Sequence, residues 1–343
     1  MLSYQTGELE LTHLARYRTL VAQFMRTTAP ATSSLMGRMA AYHMGWVDRD
    51  GRPSDSLPGK FLRSSLCLWA NEAYGGDVDV ALPVAAALEW IHNFTLIHDD
   101  IQDGDRERRG RATVWSIWGA AQGINAGDAL HALALRALGQ DGCRPEGRLH
   151  AVRVIADAVL QMIEGQCLDL ELERRPDFSK RSYLRLALAK TGALFGASLE
   201  AGALLAGAPA RILRRLRRAG RLLGVAFQMR DDWLGTWGDP ATTGKPADGD
   251  LERRKATYVL VSAYATMTEA QRSRLHGLIE TVVRRPVREI RALLEEVGGA
   301  ELTRHASQRC ADKAAAIVAG TGLDEEHVDH FREVARYVAQ RSR

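Results

Sequence analysis

Four stretches repeat apolar residues at steps of three and four: Leu82 to Ile97, Leu149 to Ile163, Tyr183 to Leu205 and Ile212 to Phe227. That is the period of a helix burying one face. Two of these stretches end at adjacent aspartates, Asp99-Asp100 and Asp231-Asp232. Buried helices that finish on paired carboxylates restrict the fold, because like charges there need something cationic between them. Ala, Leu, Arg and Glu are abundant, and all favour helix. Strictly alternating β-branched runs are scarce. The chain therefore reads as all-α. Breaks at 48–55, 74–77, 142–147 and 238–246 are local turns or loops. None resembles an interdomain linker, so the 343 residues are expected to form one domain, with 46% hydrophobic residues to fill its core.

The net charge of +4 is small for this length and implies no dedicated nucleic-acid binder. Arg211, Arg214, Arg215, Arg217, Arg218 and Arg221 form a basic run without interleaved aromatics, which reads as a solvated helix face. Cys67, Cys143, Cys167 and Cys310 have no metal-ligand spacing and read as reduced core thiols of a cytoplasmic protein. The N-terminus lacks a signal-peptide pattern. No apolar run reaches the roughly 18 residues of a membrane span.

The first acidic segment runs from Ile91 through Asp99, Asp100 and Asp103 to Arg108-Arg109-Gly110. On an ideal helix, with Asp99 at zero, Asp103 falls near about 40°, Asp100 near about 100° and His92 near about 20°. The three carboxylates share a side. Magnesium suits them, since it takes one or two carboxylates and completes its shell with waters and phosphate oxygens. The two arginines that follow can fork onto phosphate. The alternative is a solvated helix end whose arginines pair with Asp103, Asp105 and Glu107 at the surface.

The second acidic segment, Gln228-Met-Arg-Asp231-Asp232, again follows an apolar helix. A Gly- and Pro-containing loop leads to Lys245, and Lys255 lies beyond it. Such a loop can fold back and bring Lys245 to a phosphate.

These residues resemble the trans-isoprenyl diphosphate synthase (polyprenyl synthetase) family. DDxxD, four residues and RRG are met by Asp99, Asp100, Asp103, Arg108, Arg109 and Gly110. Gly59-Lys60-Phe-Leu-Arg63 is similar to the family's GKxxR, Gly165-Gln166-Cys-Leu-Asp169 to its GQxxD, and Lys190-Thr191-Gly192 to its KTG. The resemblance implies one helical bundle domain of the isoprenoid synthase type around an apolar tunnel. It also implies a homodimer that joins isopentenyl diphosphate to an allylic diphosphate. Asp99, Asp100 and Asp103 with Asp231 and Asp232 would hold three magnesium ions on the allylic diphosphate. Arg108, Lys190, Lys245 and Lys255 would contact that group too. Lys60, Arg63, His92 and Arg109 would hold isopentenyl diphosphate, with Thr191 and Gln228 near the developing cation. The resemblance leaves the role of Asp169 open. Phe94 and Thr95, five and four residues before Asp99, would gauge product length, in the pattern of geranylgeranyl (C20) synthases. Phe61 and Ser64 replace the family's Arg and Pro. Gly235 replaces the third acid of the second motif, with Asp239 as a candidate substitute.

The implied chemistry is ionisation of the allylic diphosphate, attack by the alkene of isopentenyl diphosphate, and proton loss. Metal and fixed cations stabilise the leaving group in a dry site. No side-chain nucleophile is required, and His98 and His131 read as structural or solvated. Farnesyl diphosphate synthesis, a class I terpene cyclase and a non-catalytic partner subunit are the alternatives.

Overall fold

The computed structural model describes residues 11–54, 59–140, 145–174, 178–239, 249–253, 255–280 and 286–342. Helix accounts for nearly all of the regular structure. A two-stranded ribbon and one isolated bridge, Val47 to Pro53, are the strand pairings among the described residues. The helices are α1 (Thr12–Thr28), α2 (Leu35–His43), α3 (Leu62–Ala73), α4 (Val78–Asp103), α5 (Val114–Trp118) and α6 (Ala120–Leu138). Next come α7 (Pro145–Arg174), α8 (Lys180–Ala187), a π-helical turn (Leu188–Gly192), α9 (Ala193–Leu205) and α10 (Ala210–Trp237). The last six are α11 (Gly249–Glu252), α12 (Tyr258–Thr266), α13 (Glu269–Glu280), α14 (Val287–Glu296), α15 (Gly299–Ala319) and α16 (Glu325–Gln340).

Closeness of the backbone in space groups these residues into two compact units. One comprises Thr12–Val159 with Ala197–Arg217. At its centre α4 packs along α6 and against α3. Glycines on α6 leave room for α4 side chains: a Cβ on Gly123 would stand 2.8 Å from Ile101 Cδ1, and one on Gly127 would stand 2.2 Å from His98 Nε2. Asp77 caps α4 by accepting from Asp79 N, and Gly104 at φ 69° ends it. By length and hydropathy α4 could cross a membrane, a result the search for uninterrupted apolar runs missed. In this structure 67% of its most apolar window is buried in the protein, so it is a core helix.

The other unit comprises Leu160–Gly196 and Arg218–Arg343. Here Tyr183, Val225, Met229, Val261 and Ala306 share one apolar cluster, and Leu260, Leu275, Ile290 and Leu293 share another. Two close approaches need glycine, and a third, at Gly192, is tight. A Cβ on Gly165 would lie 2.3 Å from Lys190 N, one on Gly192 3.0 Å from Arg221 O, and one on Gly224 2.7 Å from Gly192 Cα.

Two local expectations change. Helix α7 already starts at Pro145, inside the segment read as loop; proline is tolerated in a first helical turn. Cys67 is a buried thiol as expected, but Cys167 is exposed, because it lies on the outer face of α7 with Ile163 and Glu164. Cys143 lies outside the described residues.

Candidate active site

At the end of α4, Asp100 is 2% exposed while Asp99 and Asp103 remain partly exposed one turn apart. The chain leaves the helix at Gly104 and returns as the ribbon β1 (Glu107–Arg108) and β2 (Arg111–Ala112). Arg109 and Gly110 form its two-residue turn, at φ 54° and 70°. Positive φ at both positions is the turn whose twist matches a tight hairpin. It directs Arg108 back onto the acids. Arg108 Nε lies 2.6 Å from Asp100 Oδ1, and its NH2 lies 3.6 Å from Asp99 Oδ2. Burial pushes the Asp100 carboxyl up to about 6, against the pull of the Arg108 charge.

Arg109 passes over the start of α3, where a Cβ on Gly59 would stand 2.9 Å from its NH2. The glycine of the GKxxR segment is therefore a clearance for this guanidinium. Lys60 is exposed and Arg63 is 8% exposed. His92 is partly buried, and desolvation, then the charges of Arg63, Arg109 and Arg108, hold it well below the usual imidazole range. It is a neutral hydrogen-bonding group among arginines. Beneath them lies Glu89, 2% exposed, which sequence reasoning missed. Ser64 Oγ donates to Glu89 Oε2 at 2.9 Å, and Asn93 Nδ2 donates to Glu89 O at 2.9 Å. Asn93 Oδ1 is 3.1 Å from His43 Nε2, whose ring burial keeps at about 3 and so neutral. Ser64, where the family has proline, thus serves a buried carboxylate. Phe61 is packed in the core at 1% exposure.

Phe94 is 8% exposed and sits between two imidazoles, 5.8 Å from His98 and 5.1 Å from His131. Thr95 Oγ1 donates to His92 O at 2.7 Å. Phe94 therefore faces α6, and Thr95 does not share that contact.

At the end of α10, Asp231 and Asp232 differ sharply. Asp232 is 4% exposed and both of its oxygens are occupied. Oδ2 accepts from Tyr183 Oη and from Tyr258 N, each at 2.7 Å, and Oδ1 accepts from Gln228 Nε2 at 2.9 Å. Burial nevertheless pushes it up to about 7, those hydrogen bonds opposing. The Asp231 side chain is 44% exposed, with Oδ1 2.5 Å from Arg341 NH2. Thr191 Oγ1 donates to Gln228 Oε1 at 2.6 Å, so Thr191, Gln228, Asp232 and Tyr183 form one hydrogen-bonded chain. Thr191 and Lys190 sit on the π-helical turn, a local widening common at functional sites. Lys190 Nζ is 2.6 Å from Asp169 Oδ2, which gives Asp169 a contact. Gly235 is crowded: a Cβ there would be 2.6 Å from Asp250 Oδ2. Asp250 occupies the space beside the missing third acid, whereas Asp239 is exposed. Lys255 is partly buried, and its N donates to Asp250 O at 3.0 Å. Lys245 lies outside the described residues.

A sequence model described as polyprenyl synthetase matches residues 52–297. The chain belongs to the polyprenyl synthetase family. Among its relatives, a geranylgeranyl diphosphate synthase of Mycobacterium tuberculosis is 43% identical over 81% of this chain and 79% of its own. A (2E,6E)-farnesyl diphosphate synthase of the same species is 36% identical over 94% of this chain and 90% of its own. A polyprenyl synthetase from Streptomyces coelicolor superposes with a TM-score of 0.86 at 36% identity, covering 96% of this chain and 99% of that one. The all-α fold read from the sequence is therefore the fold of this family. Sequence reasoning missed Tyr183, Glu89, Asn93 and His43. Each is a single residue with no motif around it, Tyr183 on the polar helix α8 and His43 at the end of α2.

Proposed function

We propose that this protein condenses isopentenyl diphosphate with an allylic diphosphate (dimethylallyl, geranyl or farnesyl) to give trans-geranylgeranyl diphosphate. That it is a trans-prenyltransferase follows from its family. The C20 product rests on the geranylgeranyl synthase at 43% identity and on the pairing of Phe94 with Thr95. Farnesyl diphosphate is the second reading, favoured by the relative at 36% identity.

The observation that carries the proposal is the contact of Arg108 with Asp99 and Asp100. Acids to take a divalent cation and an arginine to take phosphate stand within 3.6 Å of each other. The donor set fits magnesium. Among the described residues no three His, Cys, Asp or Glu side chains converge as a ready-made cage. Magnesium needs none, since one or two carboxylates plus water and phosphate oxygens complete its octahedron. Asp99, Asp100, Asp103, Asp231 and Asp232 are the residues proposed to hold three such ions. When bound, magnesium neutralises charge growing on the departing diphosphate.

The chain's own residues carry the other tasks. Arg108, Lys190, Lys245 and Lys255 bind the allylic diphosphate. Lys60, Arg63, Arg109 and neutral His92 bind isopentenyl diphosphate. Thr191 and Gln228 present oxygen dipoles to the allylic cation. Phe94 closes the end of the chain's tunnel. We read residues 1–343 as one synthase domain, consistent with a family match that spans both units. A homodimer fits the exposed Ile124 and Leu135 of α6 and Leu149 of α7. A cytoplasmic location goes with this reading.

The test is incubation of the purified protein with magnesium, isopentenyl diphosphate and each allylic primer, with products separated by chain length. Elongation to C20 is expected. Consumption of an allylic diphosphate alone, with release of hydrocarbon or alcohol, would indicate a cyclase. No product at all would indicate a partner subunit.

A further inference from the structure

Arg109 adopts φ 54° and Gly110 φ 70°. Glycine enters that region freely, whereas an arginine there is strained. Such a residue keeps its conformation only where its surroundings over-determine it. The ribbon cannot do this alone, because its strands are two residues each and an isolated two-stranded hairpin is marginal in water. The support comes from the end of α2. Arg111, paired across the ribbon with Arg108, donates from NH1 to Tyr42 O at 3.0 Å and from NH2 to Val47 O at 2.9 Å. Its guanidinium carbon lies 4.2 Å from the centroid of the Tyr42 ring. Tyr42 Oη in turn donates to Ala112 O at 2.7 Å, and its ring meets Trp118 edge-on at 5.2 Å. Both residues of β2 are thus tied to the same tyrosine.

We propose that Arg111 and Tyr42 are positioning residues of the diphosphate site. They strap the hairpin to the end of α2, and so hold Arg109 in its strained turn and Arg108 against Asp99 and Asp100. The inference rests on reading Arg108 and Arg109 as diphosphate-binding residues. The side chains of the strap are spent on main-chain carbonyls and on each other. Arginine is specifically required at 111, because a planar fork reaches two carbonyls while stacking on a ring, and a lysine ammonium cannot do both.

The experiment compares Arg111→Met, Arg111→Lys, Tyr42→Phe and Arg109→Met with the unaltered enzyme. The KM for each substrate, kcat and melting temperature are measured. Loss of two hydrogen bonds from a charged donor should raise both KM values by about tenfold or more in Arg111→Met, with kcat within about threefold. Arg111→Lys should recover less than half of that loss. Tyr42→Phe, which keeps the ring and removes only the hydroxyl, should raise both KM values about threefold. It carries the test should Arg111→Met not fold. A role confined to stability would lower the melting temperature and leave both KM values unchanged, and that result overturns the proposal. Arg109→Met separates the two levels. A raised isopentenyl diphosphate KM there, beside unaltered KM values in the strap variants, removes the strap alone. An unaltered KM in Arg109→Met removes the substrate reading and the strap with it.

Discussion

Lys190 on the π-helical turn donates from Nζ to Asp169 Oδ2 on α7 at 2.6 Å, with both side chains largely buried. Removing one partner of such a pair leaves an uncompensated charge. If Lys190 binds the allylic diphosphate, Asp169 aims it. Asp169→Asn is expected to lower kcat/KM for the allylic substrate by about 10- to 100-fold, the scale of a misplaced binding group. The KM for isopentenyl diphosphate should stay unchanged. Steady-state kinetics with each substrate varied in turn checks this, and equal losses for both substrates would contradict it.

The pH dependence follows from two buried carboxylates. Asp100 is pushed up to about 6 and Asp232 to about 7, burial being the main cause for each. Both are proposed to work ionised, so kcat/KM should fall as pH drops through 7 toward 6. Tyr183 donates to Asp232, and this hydrogen bond favours the charged form. Tyr183→Phe should therefore move the acid limb of the profile to higher pH. An unmoved limb would show that Asp232 does not govern it. For stability the sign is opposite. Native values above the usual carboxylate value of 3.8 contribute stability that is complete below that value and is lost as pH rises through about 6 to 7.

Product length is tested at Phe94. Its ring is buried against His98 and His131 on the α6 side of α4. Phe94→Ala should extend the product beyond C20, read by chromatography of the dephosphorylated prenols. It should also cost about 3 to 5 kcal/mol of stability, as large-to-small core changes do. A destabilised enzyme with an unchanged product distribution would leave Phe94 as core packing only.

The helices and the acidic ends were legible in the sequence because both have short-range signatures. The apolar period marks α4, α7 and α10, and adjacent aspartates mark their site. The Tyr183 to Leu205 stretch reads as one helix, yet it is split by a π-helical turn at Leu188–Gly192. One residue of extra winding turns the following face by about 100°, but Ala193–Leu205 is apolar on nearly every side, so periodicity cannot reveal it. Hydrogen-bond partners distant along the chain were not legible either. Tyr183 meets Asp232 across 49 positions, and Ser64 meets Glu89 across 25. Nothing in the pattern around Glu89 separates a buried carboxylate from one on a wet face. The different fates of Asp231 and Asp232 likewise depend on Tyr258 N and Arg341, which only the fold brings to them.

The central claim is that the acids and arginines ending α4 form a site for a diphosphate with its divalent metal. The most direct measurement is calorimetric titration of inorganic pyrophosphate into the protein and into Asp100→Asn, with and without magnesium. The account predicts that magnesium tightens pyrophosphate binding by about 100-fold or more in the unaltered protein, and that Asp100→Asn loses most of that gain. Binding of equal strength with and without magnesium, or an Asp100→Asn protein that responds like the unaltered one, would contradict it.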